Sequence, residues 1–112
     1  MNRRFRLTKT SDFKRVRRAG RLYAHPLAVL IADSNGLAVS RFGITAGRAV
    51  GGAVGRNRTK RRLREALRKY WPDVVPGWDA VLIARPPAAE AAWSQLLQAI
   101  GKLLEQAGML ER

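Results

Sequence analysis

The stretch AGRAVGGAVGRNRTKRRLREALRKY, residues 46–70, decides how the chain is organised. Its first part is dense in glycine and indicates a loop, and its second part predicts a helix from about Arg56 to Tyr70. Pro72 stops that helix, because proline cannot continue the backbone hydrogen-bonding pattern. Apolar segments that favour strands lie on both sides of this unit, so the basic helix connects parts of a sheet.

The N-terminal part predicts a short helix followed by strands. Thr10 is placed to cap the helix, Gly20 follows its end, and Phe13 and Val16 lie three residues apart on its core side.

Two or three antiparallel strands are expected next. Residues 21–33 favour extended chain with a break near residues 25–26, and residues 37–45 favour a returning strand. Between them, Asn35 and Gly36 supply the positive φ values that a tight hairpin needs. We therefore expect the strands on either side of this turn to pair with each other.

The C-terminal part predicts one more strand and one more helix. The strand is DAVLIA, residues 79–84, closed by two prolines, and the helix runs from about Ala89 to Ala107 with Gly108 as its stop. The helix carries an apolar stripe that is most simply core: Trp93, Leu96, Leu97, Ile100, Leu103 and Leu104. The order α-β(β)β-α-β-α predicts a single α+β domain over residues 1–112, with helices packed on a mixed sheet.

Charge dominates the composition. The 112 residues include 22 Lys and Arg against 8 Asp and Glu, which gives +14 at pH 7. A compact body with this charge repels itself unless an anion lies against it, so nucleic acid or an acidic membrane surface is the expected partner. The chain has no cysteine, which excludes a disulfide scaffold and a thiolate zinc site. Its longest apolar run, residues 27–32, is too short to span a bilayer, and its N-terminus lacks the apolar region of a secretory signal.

The basic helix is amphipathic in a way that favours phosphate binding. At about 100° per residue, one face carries Thr59, Leu63, Ala66, Leu67 and Tyr70. The other side carries Asn57, Lys60, Arg61, Arg64 and Arg68, flanked by Arg58 and Arg62. An arginine fork can bond two phosphate oxygens at once, and the helix N-terminus adds partial positive charge after the glycines. Glu65 is the only acid in this helix, so internal ion pairs cannot account for the row of arginines.

A second basic cluster lies near the N-terminus and comprises Arg3, Arg4, Arg6, Lys9, Lys14, Arg15, Arg17, Arg18 and Arg21. Taken alone, it fits a solvated helix as well as a binding surface. Combined with the basic helix, it predicts two anionic contacts or one long contact. Phe13 lies within the cluster, and an aromatic ring on a basic surface can stack on an unpaired base.

No catalytic constellation is present. The eight acids are scattered, with no two at the short spacing of a metal-binding pair. His25 is the only histidine and more simply ends a strand than acts as a base. Residues 52–55 have the GxxG form of KH domains without the flanking apolar helices, and no Gly-Lys-Ser/Thr completes a P-loop. The protein itself is not expected to break bonds.

The run GRAVGGAVGRNRTKRRLREALR, residues 47–68, resembles the signature of the bacterial ribonuclease P protein family. Its centre is Arg-Asn-Arg at 56–58, followed by a basic pair at 60–61 and Arg-Glu at 64–65. The resemblance covers nearly the whole chain, and its other features are SDFKRV with Phe13, the turn at Gly20, RFGIT from Arg41 and DAVLIARPPAAE over residues 79–90.

This resemblance implies an αβββαβα sandwich with a mixed four-stranded sheet, like domain 2 of ribosomal protein S5. It also implies a left-handed crossover through the second helix, whereas the usual rule for parallel strands favours the right hand. The implied function is that of an accessory subunit of an endoribonuclease, in which a catalytic RNA with Mg²⁺ removes the 5′ leader from precursor tRNA. The protein would carry no cofactor of its own, touch no membrane, need no obligate protein partner and act in the cytoplasm.

The resemblance also implies two contact surfaces. The surface for the catalytic RNA comprises Arg48, Arg56, Asn57, Arg58, Lys60, Arg61, Arg62, Arg64 and Arg68. The surface for the leader is a cleft between the first helix and the sheet, with Phe13, Lys14, Arg17, Arg18 and Ile31. Arg17 and Ile31 stand where the family often has aromatic residues, so leader binding would depend less on stacking and more on charge.

Three other functions stay open at this point. A structural RNA-binding protein of the ribosomal type would carry the same charge, but its binding would not depend on a leader. A DNA-binding module would place the basic helix in a major groove, although only Asn57 there is suited to reading a base. A self-sufficient nuclease would need clustered acids for its metal ions.

Overall fold

The computed structural model describes residues 3–111, with side chains from Arg4 onward, and has three helices and a four-stranded sheet in that range. The helices are α1 (Thr10–Ala19), α2 (Ala53–Tyr70) and α3 (Trp93–Gln106). The strands are β1 (Arg21–Ala24), β2 (Ala28–Ser34), β3 (Arg41–Ala46) and β4 (Trp78–Ala84). This order confirms the predicted αβββαβα arrangement. Within residues 3–111 no helix combines the length and the apolar character needed to cross a membrane.

The sheet has the strand order β1-β2-β4-β3. β2 is antiparallel to both β1 and β4, and β3 is parallel to β4, so the sheet is mixed as predicted. The connection from β3 through α2 to β4 joins neighbouring parallel strands. The left hand of this crossover stays a prediction.

The predicted hairpin between β2 and β3 is wrong, because β4 lies between them. Residues 79–82 of β4 are fully buried, and such an apolar strand gains most when it has a partner on each side. Gly36 does adopt a positive φ of 67°. The turn that it makes leads the chain to the far edge of the sheet and not back onto β2.

The two faces of the sheet are covered unequally. Side chains alternate between the faces along each strand, and Leu30 and Leu82 point into the main core with Leu63 of α2 and Ile100 of α3. The opposite face carries a small separate cluster beneath α1: Leu7, Val16, Ile31 and Val81. Most apolar burial therefore lies on the α2 and α3 side, and α1 packs through few apolar contacts.

α1 and α2 begin at other residues than predicted. Lys9 is the residue before α1 and makes no side-chain capping bond, so the predicted cap at Thr10 is wrong. α2 begins at Ala53, inside the glycine-rich segment, because the helical hydrogen bonds extend back to the Gly52 carbonyl, which accepts from Arg56 N at 2.8 Å.

Gly20 ends α1 through close packing. Its φ of −76° is open to any residue, but a Cβ there would lie 2.5 Å from Val16 O and 2.7 Å from Ile31 Cγ2. The predicted glycine stop is confirmed in position, and its physical reason is the short distance between the helix end and β2.

α3 begins at Trp93 and not at Ala89. Residues 86–89 form a 3₁₀ turn, and the Ala92 N–H donates to Gln95 Oε1 at 2.9 Å, which starts the helix. Gly108 follows the helix with a φ of 71°, as its predicted role as a stop requires. The predicted stripe is correct for the buried residues Leu96, Ile100, Leu103 and Leu104 and wrong for Trp93, which is 39% exposed at the first turn.

Candidate nucleic-acid interface

α2 divides into a buried and a basic side, as its periodicity predicted. Thr59, Leu63, Ala66 and Leu67 are buried, and the Tyr70 hydroxyl donates to Leu97 O at 2.7 Å. The basic residues accordingly lie on the outward side and along its flanks. Arg48, Asn57, Arg58, Arg61 and Arg68 are exposed, and Arg56, Lys60, Arg62 and Arg64 are half-buried.

The N-terminus of α2 has no capping side chain. Gly52 is the residue before the helix, and the first turn contains no acid. Gly51 precedes it with a φ of 153°, which favours glycine. The unsatisfied N–H groups of the first turn and the helix dipole add partial positive charge at this end. The helix therefore begins with positive charge that no acidic side chain of its first turn neutralises.

Two of the predicted α2 contact residues also bind within the protein. Arg62 donates to the carbonyl oxygens of Ala88 and Ala91, at 3.4 and 2.5 Å, and so ties α2 to the segment before α3. Arg68 pairs with Glu65 at 3.1 Å. By contrast, Arg58 and Arg61 are exposed and make no ion pair within residues 4–111.

The outward face of α1 carries Lys14, Arg17 and Arg18, all exposed. Ile31, predicted beside them in the leader cleft, is only 7% exposed and lies in the cluster beneath α1. Phe13 is half-buried, and its ring lies flush on Gly43 of β3, where a Cβ would be 2.3 Å from the ring Cζ. Gly43 is thus required for the ring to pack there.

A cavity of about 180 Å³ lies where α1, the edge of β3 and α2 meet. Its lining comprises Arg6, Leu7, Thr8, Phe13, Phe42, Gly43, Ile44 and Arg64. The N-terminal segment closes one side, because Leu7 N donates to Phe42 O at 2.9 Å along the outer edge of β3. Phe13 and Arg64, which the sequence assigned to different surfaces, therefore line the same cavity, and Arg6 joins them.

Two guanidinium groups, those of Arg6 and Arg64, line this cavity, and among residues 4–111 no carboxylate forms an ion pair with either. Burial lowers the pKa of Arg64, and repulsion from Arg6 lowers it further, against a smaller opposite effect of Glu65. Arg64 stays protonated at neutral pH, because the pKa of an arginine lies far above that range even when burial lowers it. An anion in the cavity would relieve the repulsion between Arg6 and Arg64.

Beneath α1, a buried carboxylate joins three elements. Asp79 on β4 is fully buried and accepts from Arg41 of β3 at 2.9 Å (Nε to Oδ1) and 2.7 Å (Nη2 to Oδ2). Asn35 Nδ2, in the loop after β2, donates to Oδ1 at 2.9 Å, and Arg15 Nη2 of α1 donates to Oδ2. The other nitrogen of the Arg15 fork, Nη1, donates to Asp33 Oδ2 at 2.5 Å. Arg15 is thus an inward-facing member of a cluster predicted from sequence to be a binding surface.

These bonds determine the charge state of Asp79. Burial alone would raise its pKa, but the hydrogen bonds from Arg41, Asn35 and Arg15 and the charge of Arg41 outweigh burial, and the pKa lies below its ordinary value. Asp79 is therefore ionised in the folded protein at neutral pH.

Sequence reasoning missed both the cavity and the Asp79 cluster. The available signal was charge at strand ends, since Asp33, Asp79 and Arg41 each lie at the end of an apolar strand. Only the register places them side by side, with Asp79 opposite Asp33 on one side and opposite Arg41 on the other. Within residues 3–111, no three His, Asp or Glu side chains are grouped so as to hold a metal ion.

Comparison with known proteins gives one consistent family. The family model described as Ribonuclease P matches residues 1–108. The ribonuclease P protein component of Roseiflexus castenholzii is 44% identical over 112 residues, which covers 99% of this chain and 92% of that protein.

Solved structures agree with this family. The ribonuclease P protein of Staphylococcus aureus superposes with a TM-score of 0.86 at 28% identity, over 96% of this chain and 98% of that one. The ribonuclease P protein of Thermotoga maritima gives a TM-score of 0.82 at 28% identity, over 90% of this chain and 96% of that one.

The lowered pKa of Asp79 predicts a pH-dependent contribution to stability. Asp79→Asn should lower the free energy of unfolding at neutral pH by about 3 kcal/mol, because it removes one partner of a buried ion cluster. The contribution is complete above the ordinary aspartate pKa of about 3.9 and is lost as the pH falls through the lower, folded value. Urea unfolding at a series of pH values should therefore show the difference from the native protein shrinking in acid.

Glu90→Gln is the matched control, since it removes the same charge from an exposed position. It should change the free energy of unfolding little at any pH. A difference between Asp79→Asn and the native protein that stays constant into strong acid would contradict the assigned ionisation.

Proposed function

The chain belongs to the ribonuclease P protein family, and on that basis we propose that it is the protein subunit that binds the catalytic RNA along α2 and the 5′ leader of precursor tRNA along α1. The observation that supports this proposal is the presence of an outward basic surface on each of two helices, α1 and α2. One residue of each helix, Phe13 and Arg64, also lines the same cavity. A basic surface on each of two helices can contact a separate RNA segment.

The α2 surface suits a structured RNA backbone. Arg58 and Arg61 are exposed and make no ion pair with the described residues, so each guanidinium can bond two oxygens of a phosphate. The uncapped helix N-terminus offers backbone N–H groups to a further phosphate. Arg62 and Arg68 have partners within the protein, so we expect them to contribute less than Arg58 and Arg61.

The α1 surface suits a single strand. Lys14, Arg17 and Arg18 present positive charge that can follow a flexible backbone, and the Phe13 ring borders a cavity that can receive part of a nucleotide. Ile31 has little accessible surface, so its proposed part is to support α1 from below. Leader recognition would then rest on charge, with one aromatic ring beside it.

The chemistry of leader removal is assigned in this proposal to the RNA subunit with its Mg²⁺ ions, and the protein alone is inactive. The protein's part is electrostatic and positional. A chain of net charge +14 replaces counterions between two RNA molecules that would otherwise repel each other. Its help should therefore be greatest when Mg²⁺ is scarce.

Cleavage of precursor tRNA by a bacterial ribonuclease P RNA at low Mg²⁺ tests this function. We expect cleavage with RNA and protein together, little with RNA alone and none with protein alone. The gain should fall steeply as monovalent salt is raised, because released counterions drive the binding. Cleavage by the protein alone would contradict the proposal. So would a cleavage rate of the catalytic RNA that is the same with and without the protein.

Replacement of Arg17 tests the leader surface separately. Arg17→Ala should weaken binding of precursor tRNA to the assembled enzyme about fivefold, as the loss of one charged phosphate contact predicts. Binding of mature tRNA should stay the same, since it has no leader. The control, Lys102→Ala, removes an exposed charge from α3 and should change the affinity for neither tRNA. An equal loss of affinity for precursor and mature tRNA in Arg17→Ala would contradict the assignment.

A further inference from the structure

α1 has too few apolar contacts to fix its own orientation. It is 10 residues long, and Val16 is its one fully buried residue, with Phe13 packed beside it. A helix of this length is marginal on its own. Apolar contact is also non-directional, so one valine and one ring restrict the rotation of the helix about its axis less than hydrogen bonds would.

Arg15 supplies the missing direction. Its fork bonds Asp33 on β2 and Asp79 on β4, so it reaches two neighbouring strands at once. Asp79 is fixed in turn by Arg41 and Asn35. Charged hydrogen bonds weaken steeply when they are misaligned, so these bonds set both the height and the rotation of α1 above the sheet.

The same bonds keep negative charge away from the RNA side. Three of the chain's eight acids, Asp12, Asp33 and Asp79, lie within 4 Å of Arg15, and two of them lie within 4 Å of Arg41 as well. Asp33 and Asp79 face inward beneath the helix with Arg15, whereas Lys14, Arg17 and Arg18 are exposed on its outer face. The ion pairs of this network therefore orient α1, and the outer face of α1 stays positive.

We propose that Arg15, Asp33, Asp79 and Arg41 form a positioning network for leader binding. They touch no RNA, and they hold α1 in the one orientation in which Phe13 borders the cavity and Lys14, Arg17 and Arg18 face the leader. This inference rests on the proposed function of α1. It assigns to the network the discrimination between precursor and mature tRNA, beyond its contribution to stability.

Two variants that change the net charge in opposite directions test the proposal. Arg15→Met keeps the aliphatic stem and removes the charge, and Asp33→Asn keeps the shape and removes the opposite charge. Both should reduce the preference of the assembled enzyme for precursor over mature tRNA, by about fivefold for Arg15→Met and about threefold for Asp33→Asn, as partly exposed ion pairs predict. Arg15→Lys, which restores the charge, should recover part of the preference.

A purely electrostatic role gives a different pattern. It predicts that Asp33→Asn strengthens binding of both tRNAs, because it makes the protein more positive, and that Arg15→Met weakens both. Lys102→Met serves as the control for loss of one charge on the far side of the sheet, and it should leave the preference unchanged. Each variant's affinity for the catalytic RNA, measured without tRNA, should stay within about twofold of the native protein, since within residues 4–111 neither Arg15 nor Asp33 makes an ion pair with α2.

The orientation of α1 can be observed directly. Because the chain has no cysteine, spin labels at Ala19→Cys on α1 and Ser94→Cys on α3 occupy unique, exposed positions. The distance distribution between them should be narrow in the native background and broader or shifted with Arg15→Met or Asp33→Asn.

An unchanged distribution together with an unchanged tRNA preference in both variants would overturn the positioning network. Opposite changes in affinity for both tRNAs would overturn it too, in favour of simple electrostatics. Failure of the proposed function is distinct, since the native protein would then show no preference for precursor tRNA before any variant is made. If either Arg15→Met or Asp33→Asn does not fold, the other variant, which changes the charge in the opposite direction, still tests the positioning network.

Discussion

The carboxylate of Asp79 is the point on which the placement of α1 over the sheet depends. It is fully buried in a chain of net charge +14, and it accepts hydrogen bonds from α1, from β3 and from the loop after β2. A buried charge is costly unless it is paired and hydrogen-bonded. Its partners are therefore confined to one geometry, and that geometry places α1 against the second face of the sheet.

The two faces of the sheet are stabilised by different forces. α2 and α3 are packed on one face by a large apolar core, which keeps the basic side of α2 pointing outward whatever the charges do. α1 has a small apolar cluster on the other face and depends on ion pairs. The proposed function uses this difference: the rigid surface of α2 would take a structured RNA, and the surface of α1, oriented by charge, would take a flexible leader. Phe13 of α1 and Arg64 of α2 line one cavity beside β3.

Local pattern was enough to predict much of the fold. The buried face of α2, most of the α3 stripe and the stop at Gly108 follow from periodicity and backbone preference. Strand pairing did not follow, because the choice of β4 over β3 as the partner of β2 depends on burial of a strand that comes after α2. The shared cavity of Phe13 and Arg64 and the bond from Arg15 to Asp79 could not be predicted in this way. Both depend on strand register and on how distant elements cross, which one sequence does not reveal. The contact residues themselves stay predictions, since they rest on exposure, charge and family resemblance.

Site-specific photo-crosslinking of the assembled enzyme would test the two-surface account most directly. A single photoreactive label would be placed at Lys14→Cys on α1 or at Arg61→Cys on α2, both exposed positions in a chain without other cysteines. If α1 binds the leader and α2 binds the catalytic RNA, the label on α1 should crosslink to the 5′ leader of bound precursor tRNA, and the label on α2 should crosslink to the catalytic RNA. Crosslinks from both labels to the same RNA, or from the α1 label to the catalytic RNA alone, would contradict it.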